Sequence, residues 1–417
     1  MESYCFRPAQ PGDRDGLLDL IEAGFGSQTA KFDPQTGMEH RTLFSYLYSL
    51  PGHDFHRIML ATDDDSTLAA AGALPQQLWM GEVPVPVWAI SPVVTAPGER
   101  GKGLAGQCLI RLLAHLKDGN IPAVFLWGIP GFYPKFGFVP ILPRFKTKIS
   151  HEQLHPGFPK IQGELRPFAA EDLPEIAALY DLGNQIYWLQ PRRNMDWWQG
   201  RAAEMNTPQG YIKEVPFPVS DHFLVWENQA REVSGYMYYE TEPTHRRLVV
   251  LEGAALDPET AMMMLVRFIH LYLPPGQSLL IRGTPNHVLN LAAYRLGGIH
   301  QNPAPLAGMI KVLDWQRLLG FLKPLIDRRG SGFEKLNCTW QFRIGDAIIK
   351  LVWSGSGFDW ELVPTGAESG LFGNEIQLTR LVFGLYDRMD LPEFNTETLT
   401  RLFPLQAPFI WDNNYLY

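Results

Sequence analysis

RGKGLA, residues 100–105, lies between two apolar stretches, and its purpose decides how the rest of the chain is read. Before it runs VWAISPVVT (residues 87–95), β-branched and strand-like but interrupted by Pro92. Proline cannot donate to a ladder, so within a strand it marks a bulge or an edge. After it, Leu104, Cys108, Leu109, Leu112, Leu113 and Leu116 recur on one face of a helix. The glycines therefore fall at a strand-to-helix turn, where successive backbone N–H groups meet the positive end of a helix. Such a turn is either an anion site suited to a pyrophosphate, with Arg100 and Lys102 adding charge, or only a polar turn. Neither GxxxxGK[ST] nor a GxGxxG fingerprint is read at this turn and no series of βαβ units follows, so neither a Walker loop nor a dinucleotide-binding parallel sheet is expected.

The chain around this segment has 417 residues, 46% hydrophobic and 12% aromatic, which suits several folded domains with sizeable cores. Its net charge of -8, with no basic block, argues against nucleic acid and anionic membranes and leans towards cationic substrates. Cys5, Cys108 and Cys338 are scattered, and His40, His53, His56 and His115 show no ligand spacing, so no metal site or disulfide framework is expected. The opening MESYCFRPAQPGD lacks the pattern of a signal peptide, and the longest apolar run, near IPAVFLWGIPGF, is broken by proline and glycine. A cytoplasmic location is the expectation.

The sequence repeats itself once. FRPAQPGDRDGLLDLIEA, from Phe6, and LRPFAAEDLPEIAALYD, from Leu165, both read apolar-Arg-Pro, then Asp, then a helical pattern. Arg7, Pro8 and Asp13 match Arg166, Pro167 and Asp172, each Asp placed to cap the helix that follows. FYPKFGF, from Phe132, finds a fainter counterpart in AAYRLGG, from Ala292, at almost the same shift. A shift of that size indicates a duplicated domain. A third part opens near Met309, where IKVLDWQRLL enters a helix; TWQFRIG, AIIKLVW and FDWELV then alternate as antiparallel strands, and Leu378, Leu381, Val382 and Leu385 keep helical spacing. The closing LFPLQAPFIWDNNYLY is too apolar to be left in solvent.

Arg100-x-x-Gly103-x-Ala105 after a bulged strand resembles the acyl-CoA pyrophosphate loop of the GCN5-related N-acetyltransferases, and FYPKFGF, with Tyr133 ahead of Phe136 and Gly137, resembles the segment after their fifth strand. With the duplication, MIKVLD at the start of the third part and the LFP…PF run near the end, the whole chain is similar to the Eis (enhanced intracellular survival) family. That resemblance implies a mixed α/β, α+β fold. An active acetyltransferase domain (1–160) precedes a degenerate acetyltransferase-like one (161–307) and a sterol-carrier-like α+β domain (308–417). It further implies an acetyl-CoA-dependent N-acetyltransferase using no metal, with aminoglycosides, polyamines or lysines as acceptors, and a homohexameric assembly.

Acetyl-CoA would lie against Arg100, Gly101, Lys102, Gly103, Leu104, Ala105 and Gly106, and bond the backbone of Val93, Val94 and Thr95. Transfer to an amine needs a base, an oxyanion site and an acid for the departing thiolate. Tyr133 is the expected acid, against the reading that it is one more core aromatic. The resemblance makes the terminal carboxylate of Tyr417 the base, against a packed and inert tail, although many members end in phenylalanine. Gly128 stands where a serine is expected beside the cofactor. In the second repeat Ala293 falls at the Tyr133 position and EGAALDPETAMM carries no glycine loop, so one CoA site per chain is expected. Trp188, Trp197 and Trp198 read as a packing cluster. A lipid carrier working through the third domain, or an inactive CoA-binding scaffold, are the competing readings.

Overall fold

The structure is a computed structural model, describing residues 4–27, 34–49, 53–63, 66–129, 131–142, 145–154, 160–185, 187–199, 222–242, 247–301, 308–332, 336–364, 371–384, 396–405 and 407–408. The first part of the chain supplies β1 (Cys5–Pro8), α1 (Arg14–Gly26), α2 (Pro34–Ser49), β2 (Ile58–Thr62), β3 (Thr67–Leu74), β4 (Gln77–Met80), β5 (Val83–Thr95), α3 (Leu104–Asp118), β6 (Ala123–Trp127), β7 (Val139–Leu142) and β8 (Lys146–Ile149). The second supplies β9 (Glu164–Pro167), α4 (Leu173–Asn184), β10 (Tyr187–Trp188), β11 (Gln190–Pro191), β12 (Phe223–Glu227), β13 (Val233–Glu242), β14 (Arg247–Ala255), α5 (Pro258–Tyr272), β15 (Ser278–Arg282), α6 (Val288–Arg295) and β16 (Ile299–Gln301). The third supplies β17 (Gly308–Val312), α7 (Trp315–Arg329), β18 (Cys338–Ile344), β19 (Ala347–Ser354), β20 (Gly357–Pro364), β21 (Leu371–Asn374), α8 (Glu375–Val382), α9 (Thr396–Leu402) and β22 (Ala407–Pro408).

The first sheet runs β1-β2-β3-β5-β6-β17-β7, and the second runs β9-β12-β13-β14-β15-β8-β16. Apart from β4 and β11, which extend the first sheet from β5, these are the same seven-stranded path built twice, each with one parallel pair at its centre, β5/β6 and β14/β15. The repeated Arg-Pro…Asp motif adopts one geometry in both copies. Arg7 grips Asp13 with two hydrogen bonds of 2.7 Å, and Arg166 grips Asp172 with two of 2.8 Å. Neither Asp caps its α-helix as the spacing suggests. Each carboxylate instead accepts from the backbone N–H three residues back, Gln10 or Ala169, closing the short turn that feeds the helix.

The sheets exchange strands across the boundaries read from the sequence. β17, from the third part, fills the slot between β6 and β7 of the first sheet, antiparallel to both. β8, from the first part, fills the equivalent slot between β15 and β16 of the second sheet. The sequence reading that IKVLDWQRLL opens a helix is corrected accordingly: Met309 and Ile310 are fully buried strand residues, and the helix starts only at Trp315, after Asp314 caps it through the N–H of Arg317. A five-residue strand leading straight into a helix shows too little period to be told from it.

The third part does build the expected antiparallel hairpins, β18-β19-β20, with β21 added parallel to β18. Leu378, Leu381 and Val382 are buried on α8, whereas Leu385 lies outside the described residues. Its apolar face does not close on itself. Leu318, Leu322, Trp340, Phe342 and Phe403 share one continuous core with α1, α2, β4 and β5 of the first part. A fragment ending at residue 160 therefore lacks both the strand between β6 and β7 and the cover over one face. We expect it to show no cooperative thermal unfolding by circular dichroism; a sharp transition at the temperature of the full chain would refute this.

Candidate active site

β5 pairs with two neighbours for only part of its length. Its parallel ladder to β6 covers Val87–Ala89 against Ala123–Phe125, the last register pair among the described residues. Beyond that, β5 stays on β3 and carries a bulge: Ser91 and Pro92 together oppose the single residue Gly72. A Cβ at Gly72 would stand 2.9 Å from Pro92 Cδ, so glycine makes room for the bulge. Pro92 thus sits where the sequence placed it. The N–H of Ala96 bonds Leu68 across the ladder. Antiparallel alternation then turns the N–H groups of Val93 and Thr95 away from β3, into the space that β6 has left.

The turn after β5 leads to α3, whose apolar positions are buried as the sequence required. Gly101 and Gly103 both have φ above +80° or at it, +84° and +80°, so a side chain there would be strained although nothing crowds it. Gly106 begins the close packing: a Cβ would meet Phe136 Cζ at 3.0 Å. These three glycines stand at the G-x-G-x-x-G spacing, which corrects the reading that this pattern does not occur at the turn. The leading N–H groups of α3 have no intrahelical acceptor, and with Gly103 as the cap no side chain bonds them. The result is a backbone anion cradle.

The two basic side chains of the turn are engaged elsewhere. Arg100 donates to the carbonyls of Gly24 and Ser27, at 2.7 and 2.8 Å, and to Ser27 Oγ at 2.9 Å, tying the end of α1 to the turn. Gly24 allows α1 to lie that close, since a Cβ there would collide with Val94 Cγ2. Lys102 pairs with Glu99 at 2.9 Å. The Arg100 guanidinium thus positions the loop in this structure, and the dipole and N–H groups carry its attraction for an anion.

Tyr133 opens a short turn, Tyr133–Phe136, that ends at Gly137 with φ +82°. Its ring is half-buried against the same apolar cluster as Trp88, Val93, Ala105 and Phe136. Burial pushes its hydroxyl pKa up to about 12. Gly128 now has a physical reason: a Cβ there would lie 2.1 Å from Tyr133 Cε2, so the ring occupies the volume a serine would need. The exchanged strand lies against the same turn: a Cβ at Gly137 would stand 2.5 Å from Lys311 Nζ of β17.

The second copy of the site is closed. Where the first has Gly103, it has Asp257, whose own carboxylate accepts from Thr260 N at 2.9 Å at the start of α5. Ala293, at the Tyr133 position, is fully buried. Trp197 and Trp198 enclose Arg193, which is bound to Glu252 by two hydrogen bonds of 2.7 and 2.8 Å, while Trp188 packs in a different core under Arg329. The three tryptophans are therefore not one cluster. The site residue Tyr417 lies outside the described residues, and among those described no His, Cys, Asp and Glu group is placed to hold a metal. No described helix is long and apolar enough to cross a membrane.

Residues 5–141 match the acetyltransferase (GNAT) domain family. Along the whole chain, the fold is that of a probable N-acyltransferase from Enterococcus faecalis, at 16% identity and a TM-score of 0.68, covering 98% of this chain and 99% of that one. A GCN5-related N-acetyltransferase from Anabaena variabilis gives 15% and 0.67, covering 98% and 99%. Eis1 from Mycobacterium abscessus gives 14% and 0.63, covering 99% and 100%. No curated protein matches the sequence. The splayed β5/β6 pair and the glycine turn thus lie within the stretch that matches the GNAT domain. Along its whole length the chain shares the fold of these three proteins.

Because the Tyr133 ring fills the space above Gly128, Gly128→Ala forces one of them to move. Overpacking of this kind costs about 1–3 kcal/mol. The expected result is a lower midpoint in denaturant; an unchanged midpoint would show that the ring does not rest there.

Proposed function

We propose that the chain transfers acetyl from acetyl-CoA to an amine, in a single site in the first domain. The observation that carries this is the junction of two features: a helix N-terminus with glycine in place of a capping side chain, and, beside it, the edge of β5 freed by the departure of β6. The first suits the pyrophosphate of CoA, by Gly101, Gly103, Leu104, Ala105 and Gly106, with Arg100 and Lys102 holding the turn's shape. The second suits the pantetheine arm and the thioester carbonyl, through Val93 and Thr95, with Val94 fixed on β3. The amine attacks the thioester carbon, the oxyanion draws on those N–H groups, and the thiolate departs with a proton.

Tyr133 supplies that proton in this reading. Its pKa near 12 lies above the usual tyrosine value of about 10 and well above that of a thiol, about 8.5, so it is protonated when the thiolate needs it. A raised pKa of this sign favours the neutral form. Its contribution is intact below pH about 10 and fades as the pH rises through 12, so Tyr133 produces no alkaline limb in the neutral range. The base is the carboxylate of Tyr417. Support comes from the start of the tail: β22 pairs parallel with β10, and β11, two residues on, pairs with β4 of the first sheet. The remaining nine residues, 409–417, span at most roughly 30 Å when extended, ample for reaching the first domain.

The acceptor is an amine, with the aminoglycoside, polyamine and lysine types brought in as candidates by the resemblance, and the assembly is a homo-oligomer, hexameric by its resemblance. The lipid-carrier reading is disfavoured because the apolar face of the third part is taken up in the core it shares with the first.

Gly103→Asp puts a carboxylate at the anion cradle and should weaken acetyl-CoA binding at least tenfold by calorimetry; undiminished affinity would remove this loop from the cofactor site. Tyr133→Phe should lower turnover and leave acetyl-CoA affinity intact. Deleting Tyr417, or extending the chain past it, should cost on the order of a hundredfold in turnover, since proton transfer tolerates little displacement. Parent rates from both tail variants would assign the base to another carboxylate.

A further inference from the structure

Between the β4–β5 hairpin and the second domain lies a cleft of about 850 Å³, the size of a small-molecule site. Its walls are aromatic: Trp79 and Trp88 from the first domain and Trp197 from the second, each half-buried and each with an arginine over its ring, Arg192, Arg57 and Arg193 in turn. In its floor Gln76 is only 5% exposed, and its side-chain nitrogen has no hydrogen-bond partner among the described residues. A buried amide N–H without an acceptor is destabilising, and a ligand's acceptor atom would relieve it. At the rim stand Asp181 and Arg192. Arg192 lies flat on the Trp79 ring, its guanidinium carbon 3.7 Å from the centroid, and the neighbouring Arg193 is committed to Glu252, leaving Asp181 as the rim group suited to a cation. Desolvation raises the Asp181 pKa, with Arg192 and Arg193 opposing it, and an arriving ammonium would bring it down again.

The cleft touches the transfer site through Trp88. That residue lies in the last rungs of the β5/β6 ladder, three residues before the bulge begins, and its ring joins the cluster that includes Tyr133 and Val93. Resting on the acetyl-transfer reading above, we infer that this cleft holds the body of the acceptor and selects a flat aromatic amine of low charge. The ring lies among Trp79, Trp88 and Trp197, an acceptor atom on it takes the Gln76 amide, and the cationic arm passes Asp181. Polycations are disfavoured, because among the described residues the rim sets one carboxylate, Asp181, beside an exposed arginine, and a polyamine or aminoglycoside would leave its other ammonium groups unpaired there.

Tyramine, whose phenol oxygen can accept from Gln76, and spermidine form the test pair, with kanamycin as a third probe. Thiol release from acetyl-CoA by the full-length protein should give tyramine a kcat/KM at least tenfold above the other two. Gln76→Leu should raise the KM for tyramine at least fivefold while leaving the KM for acetyl-CoA unchanged and the melting temperature equal or higher, since it removes an unpartnered amide. Asp181→Asn should raise the tyramine KM likewise. Preference for spermidine or kanamycin, or variants that keep the parent KM for tyramine, would overturn the inference while leaving acetyl transfer standing. Calorimetric binding of tyramine that weakens in Gln76→Leu, in a protein that turns over no amine, would support the cleft and overturn the transfer reading instead.

Discussion

The architecture depends on a reciprocal exchange of strands. Each sheet has a slot between its parallel pair and its last strand, and each slot is filled from outside: β17 enters the first sheet and β8 the second. Without β17, β6 and β7 would both present unpaired edges, and the Tyr133 turn, which lies between them in sequence, would lose the strand beneath it. Main-chain hydrogen bonds in a buried sheet cannot be replaced by water, so the exchange ties both domains to one another more firmly than side-chain contact alone could. The separation of β5 from β6 that makes the candidate site is tolerable because the outer part of the sheet is secured this way.

The same frame built twice shows which details make a site. Both copies have the gripped Asp, the central parallel pair and a bulged strand with an irregular register. They differ at the helix that follows. In the first copy Gly103 leaves the N–H groups of α3 without a side-chain cap, and in the second Asp257 takes one of them, that of Thr260, internally. In the second copy the bulged strand also carries Glu252, locked to Arg193 inside a ring of Tyr180, Trp197 and Trp198. Both side chains are 3% exposed, and burying an ion pair that deeply is compatible with stability only when its hydrogen bonds are met, as Tyr236 helps to do for Glu252.

Much of this was legible in the sequence, for reasons that separate cleanly. The Arg-Pro…Asp repeat could be read because the ion pair and its turn are local, spanning six residues. The glycine turn and Pro92 could be read because backbone conformation restricts which residues can stand there. The strand exchange could not: β17 is five residues long, and nothing in GMIKV names a partner more than 160 residues away. Gly128 read as a missing serine, because its meaning is a steric contact with a ring that only the fold brings near. Arg100 read as a phosphate ligand because its charge is visible, whereas the carbonyls at the end of α1 that hold it are not. The cleft over Gln76 joins residues from three separate segments, none with a local signature.

The exchange also has a consequence in time. The ribosome delivers β6 and β7 long before β17, with 165 residues intervening between Leu142 and Gly308. At roughly 5–20 residues per second, that interval lasts on the order of 10–30 s, during which the first sheet stays open at its slot. A vacant position flanked by two apolar strands invites any strand of suitable pattern, including one from a neighbouring nascent chain. β8 is the nearest such strand, and it emerges first. The sequence must therefore keep β8 from settling into the slot next door until the second sheet exists to receive it. Lys146 and Lys148, alternating along β8, are a poor match for the buried slot that Met309 and Ile310 later fill.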